Sequence, residues 1–234
     1  MSSILVRTSS IIALVLLATA LSIHAQPKNG FIIEHGLIPP DQILRGGPAR
    51  DGIPSIDKPV FEKIKNARNL RKDERILGIK HGGITKAYPI SIMNWHEVVN
   101  DSIGDLAYTI TYCPLCGSGV AFDRLIAGET LSFGVSGLLY NSDVLLYDRE
   151  SESLWSQLMG QAITGKYKGA ELATLPLTHT TLSLWRQENP GSLILSEHTG
   201  YSRDYERNPY EGYEKNRDIY FPVSHKKPSR YHPK

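Results

Sequence analysis

The stretch Leu106-Ala107-Tyr108-Thr109-Ile110-Thr111-Tyr112-Cys113-Pro114-Leu115-Cys116-Gly117-Ser118-Gly119-Val120-Ala121-Phe122-Asp123 decides the fold. Residues 106–113 alternate like a half-buried strand, rich in β-branched and aromatic side chains. Pro114 through Gly117 interrupts them with turn chemistry, and Val120-Ala121-Phe122-Asp123 resumes the strand pattern. The same rhythm continues outward. Ile76-Leu77-Gly78-Ile79 and Thr85-Lys86-Ala87-Tyr88 flank Gly82-Gly83, a two-residue hairpin signature. Further strand signals are Thr130 to Val135, Val144 to Asp148, Trp155 to Leu158 and Ser192 to Ser196. Short strands separated by polar turns predict a β-rich α+β single domain, mainly antiparallel sheet or barrel-like, with a few short helices.

Three helices are expected. Asp57-Lys58-Pro59 opens one that runs through about Arg68, with the proline in its first turn. Ser91 to Asn100 carries Ile92, Trp95, Val98 and Val99 at helical spacing. Thr180 to Asn189 is the third, stopped by Pro190-Gly191. Residues 26–60 are rich in Gly and Pro and read as an extended lead-in. From Gly200 onward the chain is Tyr-rich and poor in aliphatics, a composition that does not fold alone. Residues 200–234 are expected to wrap the core, ring faces packed and hydroxyls on polar partners.

Composition removes several function classes. Hydrophobic residues make up 41% and charged residues 21%, a globular balance. A net charge of +2 is too weak for a general nucleic-acid binder. Residues 1–25 read as a signal peptide: Arg7, an apolar run from Ile11 to Leu21, then Ile23-His24-Ala25 before the cut. The run is short for a bilayer span of about 20 residues, and no later segment is long enough either. Residues 26–234 are therefore expected as one exported domain, periplasmic or extracellular, with no membrane span after cleavage.

Cys113 and Cys116 are the only two cysteines, which excludes a four-thiolate site or a disulfide scaffold within one chain. Their spacing suits a metal knuckle, a redox dithiol or a local structural disulfide. The poor helix sequence after Gly117 disfavours a thioredoxin-like centre, which normally opens a helix. A knuckle supplies two ligands. His96 is the candidate third, since its segment leads into the Cys strand; Glu97 or Asp101 would fix its tautomer. Two thiolates and an imidazole suit a transition metal, copper or zinc. A thiol-dependent redox enzyme with His96 as base, and a binding or scaffold module with a disulfide, stand as alternatives.

Around that centre, Trp95, Glu97, Tyr112, Ser136, Tyr140, Asn141, Ser142, Asp143 and Trp155 are candidate pocket residues. The small residues Gly134, Ser136 and Gly137 permit close backbone approach, as at a pocket wall. Asn141-Ser142-Asp143 reads equally well as a turn. Gly134-Val135-Ser136-Gly137 is not a nucleophile elbow, and no phosphate loop, dinucleotide fingerprint or His-Glu-x-x-His is present.

Several blocks taken in order carry a family resemblance. They are Gly46-Gly47-Pro48 with Asp51-Gly52-Ile53-Pro54, Asn94 to Asp101, Thr111 to Gly117, Phe133 to Asp143, and Leu154-Trp155-Ser156-Gln157. Together they resemble the domain-of-unknown-function family numbered 3179. The resemblance implies an exported protein with a Cys-Pro-x-Cys centre and assigns no catalytic residue. It also implies a further strand and turn beyond Tyr231-His232-Pro233-Lys234 in other members, so a shortened C-terminus is expected here.

Overall fold

A computed structural model describes residues 27–216 and 219–223. The expected signal peptide and the end of the Tyr-rich tail lie outside the described residues. The strands run β1 (Ile43–Arg45), β2 (Phe61–Lys63), β3 (Arg75–His81), β4 (Ile84–Pro89), β5 (Val98–Ile103) and β6 (Leu106–Cys113). They continue as β7 (Ser118–Asp123), β8 (Leu125–Ile126), β9 (Glu129–Thr130), β10 (Phe133–Tyr140) and β11 (Asp143–Asp148). The last are β12 (Leu154–Ser156), β13 (Gln161–Ala162), β14 (Thr174–Leu175), β15 (Thr178–Thr181) and β16 (Leu193–Leu195). Helix α1 (Ile90–His96) lies between β4 and β5, and α2 (Leu182–Glu188) between β15 and β16.

Three larger sheets form. Their strand orders are β1-β10-β11-β12-β13, β14-β7-β6-β5 and β15-β3-β4-β16-β2, with β8-β9 a separate ribbon. Every strand pairing is antiparallel except β16 with β4. The fold class is thus the expected β-rich α+β, and no closed barrel forms among the described residues.

The sheet containing β6 is the middle layer. Tyr108, Ile110 and Tyr112 pack with Leu77, Ile79 and Tyr88 of the β3–β4 hairpin. Cys113 and Phe122 pack on the other side with Phe133, Val135, Leu146 and Trp155. Alternation along β6 thus serves two cores rather than one core and solvent. The strand is buried on both faces over most of its length, not half-buried as its pattern predicts. Its hydroxyls make this affordable: Thr109 donates to the Val99 carbonyl at 3.2 Å and Thr111 to that of Val120 at 2.9 Å.

One helix expectation fails and another is cut short, for one reason. No helix spans 57–68; Phe61–Lys63 pairs with Leu193–Leu195, and Ile64 N–H donates to Ser192 O at 2.9 Å. Sheet hydrogen bonds outcompete a weak local helix preference. The helix expected over 91–100 runs from Ile90 to His96 and then reverses at Glu97, whose φ is 58°. Val98 and Val99 instead pair with Thr111 and Ile110. β-branched residues fit that pleated surface better than a helix.

Candidate metal centre

The two cysteines sit on the β6–β7 hairpin. Cys113 and Ser118 are its last paired residues. Cys116 N–H donates to Cys113 O at 3.2 Å, closing a turn with Pro114 at its second position. Gly117 leaves the turn at φ 64°, which a side chain would resist. Cys113 is buried and Cys116 exposed. Their sulfurs stand 3.2 Å apart as free thiols, beyond the roughly 2.05 Å of a disulfide bond.

The second half of the centre comes from the β10–β11 hairpin. Tyr140 pairs with Asp143 around the two-residue turn Asn141-Ser142. Both turn residues are left-handed, at φ 51° and 64°, the signature of the primed turns that match strand twist. This conformation aims the Ser142 carbonyl at the cysteines, where it accepts from Cys116 Sγ at 3.4 Å and from Cys113 Sγ at 3.8 Å. Asp143 Oδ1 lies 3.8 Å from Cys116 Sγ. Its Oδ2 accepts from Leu158 N–H at 3.0 Å and from Ser156 Oγ at 3.4 Å, which anchors the carboxylate to the β12 end. The Cys113 and Cys116 sulfurs and an Asp143 oxygen all lie within 4.8 Å of one another.

The surroundings disfavour negative charge. Cys116 beside it, then burial and the nearby Asp143 and Glu97 carboxylates, push the Cys113 thiol far above its ordinary value. Burial pushes Asp143 up to about 6, against the hydrogen bonds it accepts. Burial also pushes Glu97 up to about 7, opposed by the Tyr210 hydroxyl that donates to its Oε1 at 3.0 Å and reinforced by the Asp143 charge. Among the described residues no Lys or Arg forms an ion pair with either carboxylate. The cluster is acidic and has no countercharge among the described residues, the condition a bound cation would reverse.

The structure brings some of the expected residues to this point and leaves others elsewhere. Cys113, Cys116, Ser142 and Asp143 meet. His96 does not join their donor atoms: Nδ1 faces Pro54 O at 2.8 Å and Nε2 faces the Tyr205 hydroxyl at 2.7 Å. Both ring nitrogens are occupied, so His96 pins the end of α1 to the tail. Glu97, not Asp101, extends the acidic cluster. Asp101 instead pairs with Lys86 at 2.7 Å and accepts from Tyr88 and Tyr108. Trp95 donates to the Arg207 carbonyl at 3.1 Å. Tyr112 is a core residue, and its N–H donates to Glu97 O at 2.7 Å. Trp155 is wholly buried, its indole donating to Asp148 at 2.8 Å. Tyr140 packs partly buried against the outer core of its sheet, and Asn141 forms the turn.

Ser136 and Gly137 form a bulge between Val135 and Leu138. Ser136 Oγ donates to the Leu145 carbonyl, and a Cβ on Gly137 would strike the Pro48 carbonyl. The expected close backbone approach occurs here. Tyr210 is the participant that sequence reasoning missed. Its segment reads only as a wrapping tail, and nothing local connects it to Glu97, 113 positions away.

Fold and site together define a layered β-rich protein with an unbonded Cys-x-x-Cys hairpin facing an acidic turn. The chain belongs to the family described as Protein of unknown function (DUF3179), whose model matches residues 50–234. No curated protein and no solved structure matches the chain.

Proposed function

We propose that this is an exported transition-metal-binding protein, with Cys113, Cys116 and Asp143 as ligands. One observation carries the reading: three donor atoms from two hairpins lie within 4.8 Å of one another, in an acidic site with no basic ion-pair partner among the described residues. Two soft thiolates with one hard carboxylate form a mixed set that suits Zn²⁺ better than copper(I), which favours sulfur alone. Asp143 takes the place in the ligand set that the sequence offered to His96. Three protein ligands leave a fourth position for water or another molecule. Binding displaces the thiol protons, so affinity rises with pH.

Nucleophilic use of Cys113 is the weaker reading. A reactive thiol needs a depressed pKa and access, whereas Cys113 is buried and its pKa is raised. The test is metal analysis of the purified protein beside Cys113→Ser and Asp143→Asn. The expected result is about one zinc per chain, with loss in both variants. Absence of stoichiometric metal, or full metal in either variant, overturns the proposal. Export is checked separately by cell fractionation and N-terminal sequencing, with Gln26 expected as the first residue.

A further inference from the structure

A cavity of about 250 Å³ opens between the two hairpins. Its walls include Ile53, Leu115, Val135, Leu138, Leu139 and Val144. Glu97 and Tyr210 also line it, and they are hydrogen-bonded to each other. Leu115 comes from the turn between the cysteines, and Val144 follows Asp143, so the cavity adjoins the candidate metal centre. No basic residue lines it among the described residues.

Glu97 carries two costs that ordinary stability selection would remove. Its backbone is left-handed at φ 58°, a conformation that costs a residue with a Cβ about 1–2 kcal/mol. Its carboxyl is buried, at 5% exposure. A glycine at this helix end would remove both costs. Strained, buried and part of the wall of a mostly apolar cavity, Glu97 has the attributes of a ligand-orienting group.

We propose that this cavity binds a small uncharged organic molecule with an apolar ring or chain and one hydroxyl head, the head donating a hydrogen bond to the Glu97–Tyr210 pair. Size sets the upper limit. A dry cavity of about 150 Å³ accepts benzene, so the present one takes one substituted ring or a small fused pair. Charge sets the class. A carboxylate or phosphate would meet Glu97 with no countercharge among the described residues, and an organic cation would keep its charge against walls that are mostly apolar apart from Glu97. The Tyr210 hydroxyl proton goes to Glu97 Oε1, so an uncharged hydroxyl head can donate to the Tyr210 oxygen or to the Glu97 carboxylate. The inference stands on the cavity and does not require the metal.

Calorimetric titration with p-cresol and with toluene tests it, using the purified protein. The expected result is saturable one-to-one binding of p-cresol with a Kd of about 1 mM or tighter, at least about tenfold tighter than toluene, since a buried hydrogen bond to the head is worth about that factor. Tyr210→Phe should lower p-cresol affinity and leave toluene unchanged. Leu115→Trp and, independently, Leu139→Phe should fill the cavity and abolish binding while circular dichroism stays unchanged. Cys113→Ser should remove metal and leave p-cresol binding intact, which separates this inference from the metal reading. Absence of saturable p-cresol binding, equal affinity for toluene, or binding that survives both filling substitutions in folded protein overturns the proposal.

Discussion

Ser142 shows how a single residue serves the site at the expense of the fold. It occupies a left-handed position of a two-residue turn where glycine is preferred, and its buried hydroxyl has no partner among the described residues. What the site uses is its backbone carbonyl, which faces both sulfurs. Ser142→Gly relieves the strain and removes the unsatisfied hydroxyl. It should stabilise the protein by about 1 kcal/mol, read as a higher midpoint in urea unfolding; a lower midpoint contradicts this account. Tyr205 illustrates the opposite case. Its hydroxyl bridges His96 Nε2 at 2.7 Å and Thr199 Oγ1 at 2.6 Å. Tyr205→Phe leaves buried polar atoms unpaired and should cost about 1–3 kcal/mol, measured in the same unfolding experiment.

The candidate site is built by two hairpins whose turns meet. One carries the thiols on a four-residue turn, the other the carboxylate and carbonyl on a two-residue turn. Both geometries are rigid because the flanking strands belong to different sheets that share one core. The bulge at Ser136-Gly137 adjusts β10 so that the N-terminal segment can pass, with Gly46 N–H donating to Gly137 O at 2.8 Å. Gly137→Ala forces a Cβ onto the Pro48 carbonyl at a φ of 70°. A loss of about 2 kcal/mol or more is expected, together with weaker p-cresol binding, because Gly137 lines the cavity. A thermal melt and a titration of the same variant check both effects.

For the whole molecule, the acidic cluster sets a pH dependence. Folding raises Glu97 from 4.5 to about 7 and Asp143 from 3.8 to about 6. The folded protein therefore holds more protons than the unfolded chain between about pH 4 and pH 7. The metal-free protein should lose stability as pH rises through that window, since the unfolded state then ionises more readily. For Glu97 the loss approaches about 3 kcal/mol. Glu97→Gln keeps an acceptor for Tyr210 and should flatten much of the slope in urea midpoints measured from pH 4 to 8. A wild-type midpoint that rises across this range would sink the account. The tail completes the arrangement: Asn94, Trp95, His96 and Glu97 are all bonded to residues between Tyr205 and Tyr210.

Local pattern by itself determined the antiparallel β-rich class, the Gly82-Gly83 hairpin, the Cys turn and the helix stopped before Pro190-Gly191. Strand alternation, turn residues and helix stops act over a few neighbouring positions, so they are written in the order of side chains. Tertiary structure alone decided that β6 is a middle layer, because burial on a second face depends on a sheet contributed by remote segments. It also ended α1 at His96, where pairing with β6 supplied Val98 and Val99 with better partners than a helix turn. The choice of Asp143 over His96 beside the thiols follows the same rule. His96 is nearer along the approach to the Cys strand, but its ring nitrogens are taken by Pro54 and Tyr205, while a separate hairpin delivers the carboxylate. Proximity across three packed sheets is a property of how hydrophobic faces cover one another, and no spacing within a single segment records it.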